Sequence, residues 1–165
     1  MDQEGLIDLL NKKSIRFKLT EHKPLFTVED SKNLRGQIEG AHSKNLFLKD
    51  KKENFYLVSF IEDIVADLKK AANPLGSKKL SFAREEYLLQ YLGIKPGSVS
   101  PFGLLNDYEK KVKFFFDSEF MNFDIVNFHP LVNTATVSIA PRDLINFIEE
   151  HHSKVEFINM RQFEK

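Results

Sequence analysis

The chain has no cysteine and no tryptophan among its 165 residues. The absence of cysteine excludes a thiol nucleophile, a disulfide framework and thiolate metal ligands. No run of about eighteen apolar residues occurs, so the sequence predicts no membrane-spanning helix. The acidic beginning, Met1-Asp2-Gln3-Glu4, lacks the basic start of a secretory signal peptide. These absences favour a cytoplasmic protein without membrane association.

Familiar catalytic signatures are also missing. There is no Gly-x-Ser-x-Gly elbow, no His-Glu-x-x-His helix and no phosphate-binding P-loop. The five histidines are His22, His42, His129, His151 and His152. No two of them are four residues apart, so the sequence predicts no metal site, and we expect no cofactor. His151 and His152 end a predicted helix, where positive charge is favourable, and we expect a structural role for them.

Neither sign of charge is in excess, because 24 basic side chains balance 24 acidic ones. A protein that binds nucleic acid mainly through phosphates is usually basic. Any RNA contact must therefore be local or transient, unless another protein supplies part of the grip.

Apolar residues make up 42% of the chain, and sixteen of them are phenylalanine, which predicts a folded core rich in aromatic packing. The length suits one domain over residues 1–165. Hydrophobic periodicity predicts strands that alternate irregularly with helices, an α+β arrangement. Predicted helices begin at Asp2, cover residues 27–34, 63–72 and 84–92, and begin at Pro141. Predicted strands cover residues 16–20, 45–49, 55–60, 79–82, 112–117, 124–127, 134–140 and 154–159.

A polar cluster stands at the entrance of one predicted strand, in the run NFHPLVNTAT at residues 127–136. Pro130 biases His129 toward an extended backbone, which gives the His129 carbonyl a preset direction. Side-chain and backbone groups here could contact a ligand. A capped turn, in which Asn133 and Thr134 satisfy local backbone groups, is the alternative.

Two further segments favour a ligand-binding role for this cluster over a capped turn: SKNLFL at residues 43–48 and GSVSPFGL at residues 97–104. In this order and separation the three segments resemble the YbaK/prolyl-tRNA-synthetase-associated domain family, and most of all its prolyl-tRNA editing proteins. The resemblance covers nearly the whole chain, and the run around His129 is its most specific part. It implies a mixed sheet, curled into a partly open barrel with helices packed outside.

The resemblance also implies where the site lies. Lys44, Asn45 and His129 are the expected catalytic residues. Backbone groups near residues 97–101 and 129–133 are suited to positioning an ester and its developing oxyanion. The expected substrate-binding residues are Gly97, Ser98, Pro101, Phe102, Asn133, Thr134, Ala135 and Lys79. For Lys79, the RNA contact could instead be made by the neighbouring Lys78. A pair of solvated lysines that contact no RNA is an equal alternative.

The implied activity is hydrolysis of mischarged tRNA(Pro), with alanyl-tRNA(Pro) as the expected substrate and partner. Alanine is smaller than proline, and one or two methylenes give a synthetase pocket only about 1–3 kcal/mol of selectivity. A second, smaller site would remove the error. Cysteinyl-tRNA(Pro) as substrate and a non-catalytic module that binds RNA or a synthetase are the alternatives. Prolyl-tRNA synthetase or an elongation factor is a further expected, transient partner.

Overall fold

The computed structural model of the chain describes residues 1–24, 30, 32–33 and 36–165. Its helices are α1 (Gln3–Lys12), α2 (Leu68–Ala72), α3 (Glu85–Tyr87) and α4 (Pro141–His151). A π-helical turn, Leu88–Leu92, continues α3, and short 3-10 turns cover Pro101–Asn106, Ser118–Asn122 and Met160–Phe163. The strands are β1 (Phe17–Glu21), β2 (Ala41–Lys49), β3 (Phe55–Ile61), β4 (Ser81–Phe82), β5 (Val112–Asp117), β6 (Val126–Phe128), β7 (Ala135–Ile139) and β8 (Glu156–Ile158).

The eight strands form one mixed sheet in the order β1-β7-β6-β2-β3-β5-β8, with β4 paired to the end of β2. The β6–β2, β3–β5 and β5–β8 pairs are parallel, and the other pairs are antiparallel. The sheet does not close, since β1 and β8 are its two ends. The predicted α+β class and the mixed, partly open sheet are confirmed.

Local signals explain where the main helices begin. The Asp2 carboxylate accepts a hydrogen bond from the Gly5 amide at 2.9 Å, which caps α1 as the sequence predicts. Pro141 occupies the first turn of α4, where its missing N–H costs nothing. Gly93 has a φ of 64° and ends the turn after α3.

Several predicted elements are shorter in the structure, among them one helix and one strand near the cavity beside β2. The helix predicted over residues 63–72 begins only at Leu68, because Asp67 is its N-cap and accepts from the Lys69 and Lys70 amides. The strand predicted over residues 79–82 is reduced to Ser81 and Phe82, which pair with the end of β2. Most of the helix predicted over residues 27–34 lies outside the described residues.

An aromatic cluster supports the end of β6, immediately before His129. The rings of Phe116, Phe120 and Phe128 lie 4.7–6.2 Å apart between centroids and are almost fully buried. Aromatic packing of this kind fixes side-chain orientation as well as burying apolar area. The turn that begins at His129 is therefore attached to a rigid part of the core. No helix in the described part of the chain is long and apolar enough to cross a membrane.

Candidate functional site

The predicted pair Lys44 and Asn45 lies in the middle of β2, opposite Phe60 and Ser59 of β3. Successive side chains of a strand point to opposite faces of the sheet. Lys44 therefore shares a face with His42, whereas Asn45 shares the other face with Ser43. The two predicted site residues are adjacent in sequence but are not side by side in the site.

The Asn45 side chain is held on both sides. Its amide oxygen accepts from the Ser59 hydroxyl at 2.5 Å, and its amide nitrogen donates to the Ser43 hydroxyl at 3.1 Å. Ser43 in turn donates to the main-chain oxygen of Asn127 at 2.8 Å. This chain of hydrogen bonds ties β3, β2 and β6 together, so Asn45 is suited to fixing strand positions next to Lys44.

Lys44 lies at the edge of a cavity of about 520 Å³. Its ammonium group donates to the Ile64 carbonyl at 3.2 Å and lies 5.9 Å from the centre of the Phe60 ring. Apolar side chains, two further lysines and one aspartate complete the cavity. Besides Lys44 it is lined by Leu46, Phe60, Val65, Ala66, Asp67, Leu68, Lys69, Phe82 and Lys165. A charged ligand could reach Lys44 from this side.

His129 is oriented by one main-chain hydrogen bond. Its Nδ1 lies 2.9 Å from the Ala135 carbonyl oxygen, which can only accept, so Nδ1 carries the proton. Burial lowers the pKa of His129, and the neighbouring imidazoles of His22 and His42 lower it further. The ring is therefore neutral at pH 7, with a lone pair on Nε2. That nitrogen has no hydrogen-bond partner within the described residues.

His22 is a second imidazole at this site, which the sequence analysis did not select. Its ring centre lies 6.1 Å from that of His129, and its Nε2 lies 2.9 Å from the Thr136 hydroxyl. Its Nδ1 donates to the Lys23 carbonyl at 2.8 Å, so Nε2 accepts from Thr136 when the ring is neutral. The pairing of Thr20 with Thr136 brings β1 here, and no local sequence motif indicates it.

The turn after His129 has an unusual backbone. Leu131 has a φ of 71°, which is costly for a branched side chain and is held here by burial of that side chain. Gly97 also has a positive φ, 88°, and a Cβ added to it would lie 3.6 Å from the side-chain amide nitrogen, Nδ2, of Asn133. The structure thus brings the loop at Gly97 next to the turn that contains Asn133.

Burial separates the predicted binding residues into two groups. Thr134 is exposed, and Asn133 and His129 are partly accessible. Ser98, Pro101, Phe102 and Ala135 are buried, and Phe102 packs edge-on against Phe147 with 6.2 Å between ring centres. The side chains of these four residues are therefore part of the packed interior.

Lys79 lies elsewhere. It lines a separate cavity near the hairpin between β2 and β3, and Lys78 lines the same cavity. No group of three or more histidine and carboxylate side chains in the described part of the chain is arranged to hold a metal ion.

Comparisons with known proteins agree on one family. Residues 22–147 match the family model of the aminoacyl-tRNA editing domain. The prolyl-tRNA editing protein ProX of Acetoanaerobium sticklandii is 35% identical over 159 residues, which cover 96% of this chain and 97% of that protein. The prolyl-tRNA synthetase associated domain-containing protein 1 of Bos taurus is 39% identical over 141 residues, 82% of each chain.

A solved structure agrees on the fold. The crystal structure of a candidate trans-editing enzyme for prolyl tRNA synthetase superposes with a TM-score of 0.73, over 98% of this chain and 94% of that one. The two chains are 18% identical, so this likeness concerns the fold alone.

Proposed function

The chain belongs to the aminoacyl-tRNA editing domain family, and we propose that it is a trans-acting deacylase that hydrolyses mischarged tRNA(Pro). Alanyl-tRNA(Pro) is the proposed substrate. Lys44, Asn45 and His129 all lie inside the matched residues 22–147, and so does each predicted binding residue.

The observation that carries the proposal is the state of His129. It is a neutral imidazole, anchored through Nδ1, and its Nε2 can accept a proton or a hydrogen bond. An aminoacyl ester is already activated, and the ribose hydroxyl beside it can orient or deprotonate the attacking water. The protein then needs to position the ester and a proton acceptor, which requires no nucleophilic side chain.

Lys44 and Asn45 have different proposed roles because they lie on different faces of β2. Lys44 supplies a cation on the face of His42 and contacts a phosphate of the tRNA 3′ end. Asn45 holds β2 against β3 and β6 through Ser43 and Ser59, and so keeps Lys44 in place.

Alanine is proposed over cysteine on the basis of size. The turn at residues 129–133 and the loop at Gly97 adjoin, and Pro96, Pro101 and Pro130 limit how far these segments can relax. Such walls suit a methyl-sized side chain and exclude the proline ring. The main-chain oxygen of His129 is proposed to accept from the α-ammonium group of the substrate. Cysteine is close to proline in size and would need a chemical filter.

The proposed partners follow from the reaction. Mischarged tRNA(Pro) leaves prolyl-tRNA synthetase, so we expect transient encounters with that enzyme or with an elongation factor, in the cytoplasm.

Deacylation by the purified protein tests the proposal. The same tRNA(Pro) charged with alanine or with cysteine is followed in single-turnover reactions with enzyme in excess. We expect rapid loss of the alanyl ester and a slower loss of the cysteinyl ester. The reverse preference would assign the cysteinyl substrate, and binding without hydrolysis of either ester would leave a non-catalytic module.

A further inference from the structure

A cleft lined by four lysines lies at the far end of β2 from the Ala41 end that pairs with β6. Two segments form it: the hairpin tip at residues 50–54 and the loop at residues 73–79 that follows α2. The cleft has a volume of about 440 Å³ and is lined by Asp50, Lys51, Lys52, Asn54, Asn73, Gly76, Ser77, Lys78 and Lys79. We call it the lysine cleft.

Asp50 forms the floor and fixes both segments. Its carboxylate accepts from the amides of Lys52 and Asn54 at 2.9 Å, from the Asn54 side chain at 2.9 Å and from the Tyr56 hydroxyl at 3.1 Å. Ser77, on the other segment, donates to the same carboxylate at 3.4 Å. Burial alone would raise the pKa of Asp50, but these hydrogen bonds lower it. The Asp50 carboxylate thus holds together the two segments that carry the lysines, whose side chains extend into solvent.

The four lysines of the cleft have exposed side chains. Within the described residues, Lys51, Lys52, Lys78 and Lys79 form no ion pair. Arg161 shows the contrast, since its guanidinium contacts the carboxylates of Asp63, Glu119 and Glu164. Four cations around one cleft are therefore available to an anionic ligand.

An exposed aromatic side chain lies between this cleft and the cavity beside Lys44. Phe82 is 64% exposed, lines the Lys44 cavity and is three residues after Lys79. Along β2, Lys44 and Lys49 are five positions apart, about 17 Å at the rise of a strand. Lys49 adjoins Asp50 at the cleft. The Lys44 cavity, Phe82 and the lysine cleft therefore follow one another along the same strand.

We propose that this row is a track for the acceptor end of an RNA, with backbone phosphates in the lysine cleft and a base stacked on Phe82. The inference rests on the proposed function, which places the 3′ end at Lys44. Lysine ammonium groups bind phosphates as point charges, and aromatic faces stack any base. A single nucleotide cannot reach both cavities, so the track selects a polymer.

The salt dependence of RNA binding tests the track. The probe is uncharged tRNA(Pro) transcript, and Kd is measured by fluorescence anisotropy at several salt concentrations. Each phosphate contact contributes a slope of about −0.7 to −0.9 in log K against log salt. We expect Lys51→Gln/Lys52→Gln and Lys78→Gln/Lys79→Gln each to raise Kd and to make the slope shallower by about 1.5. Phe82→Ala should raise Kd about tenfold without changing the slope, because stacking releases no counterions.

A charge-matched control is Lys12→Gln/Lys154→Gln, two exposed lysines outside both cavities, which should keep the wild-type Kd and slope. The track is overturned if the cleft variants match this control. Failure of the proposed function looks different, because the wild-type protein would then bind the transcript through the cleft and hydrolyse no ester. Binding of an acidic protein alone, with no RNA binding, would also overturn the track.

Discussion

Two histidines in this protein, His152, which is buried, and His129, which is partly accessible, have opposite surroundings. His152 contacts the Asp107 carboxylate through Nε2 and the Ser153 hydroxyl through Nδ1, both at 2.9 Å. Within the described residues, His129 forms a hydrogen bond through Nδ1 alone, toward the Ala135 carbonyl, and it lies among two other imidazoles. Both ring nitrogens of His152 are occupied by its neighbours, whereas Nε2 of His129 remains available to a ligand.

The hydrogen bonds of His152 belong to a structural network, whereas the Nε2 of His129 is available for chemistry. Ser153, His152 and Asp107 are connected in the order of a hydrolytic triad, yet the imidazole is 3% exposed. Asp107 also accepts from the amides of Lys111 and Val112, so the network joins the end of α4 to the start of β5. Hydrogen-bond order alone does not identify a site, and an accessible lone pair is the better indicator.

The largest expected effect comes from breaking the structural network. His152→Ala removes one of the three hydrogen-bond donors of the buried Asp107 carboxylate, which keeps the amides of Lys111 and Val112. Loss of a donor to a buried group typically costs about 1–3 kcal/mol. We expect the free energy of unfolding in urea to fall by that amount. His151→Ala is the matched control, since His151 is half-buried, hydrogen-bonds the Phe147 carbonyl and packs against the Phe147 ring. Equal losses in the two variants would remove the special role of His152.

The second effect concerns activity instead of stability. Lys44→Ala should lower the single-turnover rate of alanyl-tRNA(Pro) hydrolysis at least tenfold, about 1.4 kcal/mol of transition-state stabilisation. The melting temperature should change little, because Lys44 makes one main-chain hydrogen bond at a cavity edge. Lys113→Ala, an exposed lysine of β5, controls for charge loss. A near-normal rate for Lys44→Ala would exclude Lys44 from the site.

Asp117 has a buried carboxylate oxygen that lacks a hydrogen-bond partner within the described residues, and we expect this feature alone not to mark a functional site. Asp117 is fully buried, and its Oδ1 accepts from the Glu119 amide at 3.0 Å, while its Oδ2 forms no hydrogen bond within the described residues. Burial raises the pKa of Asp117, and the Glu119 charge adds to the rise, although the amides of Glu119, Ile61 and Met160 oppose it. The folded state therefore binds this proton more tightly than the unfolded chain does, and the stability it contributes falls as pH rises above about 3.8.

Asp117→Asn removes the charge that the core disfavours. We expect it to raise the free energy of unfolding at pH 7 by about 1 kcal/mol, an ordinary size for a point substitution. The gain should shrink as the pH approaches 4, and deacylation should be unaffected. A loss of stability at pH 7 would show that the ionised carboxylate is needed where it lies.

The smallest expected effect is the dependence of the deacylation rate on pH. Because the pKa of His129 is lowered, its neutral form persists below the ordinary value of about 6.5. The deacylation rate should stay flat from pH 7.5 to about 6.5, apart from the uncatalysed hydrolysis, and fall at lower pH. His129→Asn should lack this fall. A midpoint above 6.5 in the wild-type protein would contradict the neutral His129.

Local patterns in the sequence predict some parts of this molecule well. The strand predicted over residues 112–117 has the bounds of β5, and Pro141 marks the start of α4 as predicted. The selection of Lys44, Asn45 and His129 came from the family resemblance, which depends on three short segments in order. Strand alternation alone could have placed Lys44 and Asn45 on opposite faces.

Long-range contacts account for what the sequence analysis missed. His22 joins His129 only because β1 pairs with β7, and His152 meets Asp107 across 45 positions. The positive φ of Leu131 has no sequence signal, since leucine does not favour that conformation. The sequence analysis singled out Lys78 and Lys79 but not the rest of the lysine cleft. Lys51 and Lys52 belong to a hairpin tip, and the fold brings that tip close to Lys78 and Lys79.

The site around His129 is proposed to remove a wrong amino acid from tRNA(Pro) and to spare the right one. Parallel single-turnover deacylation of alanyl and prolyl esters on the same tRNA(Pro) tests it most directly. We predict fast hydrolysis of the alanyl ester and almost none of the prolyl ester, with seryl and glycyl esters between them. Equal rates for the alanyl and prolyl esters would contradict the account, because such an enzyme would destroy the correct product.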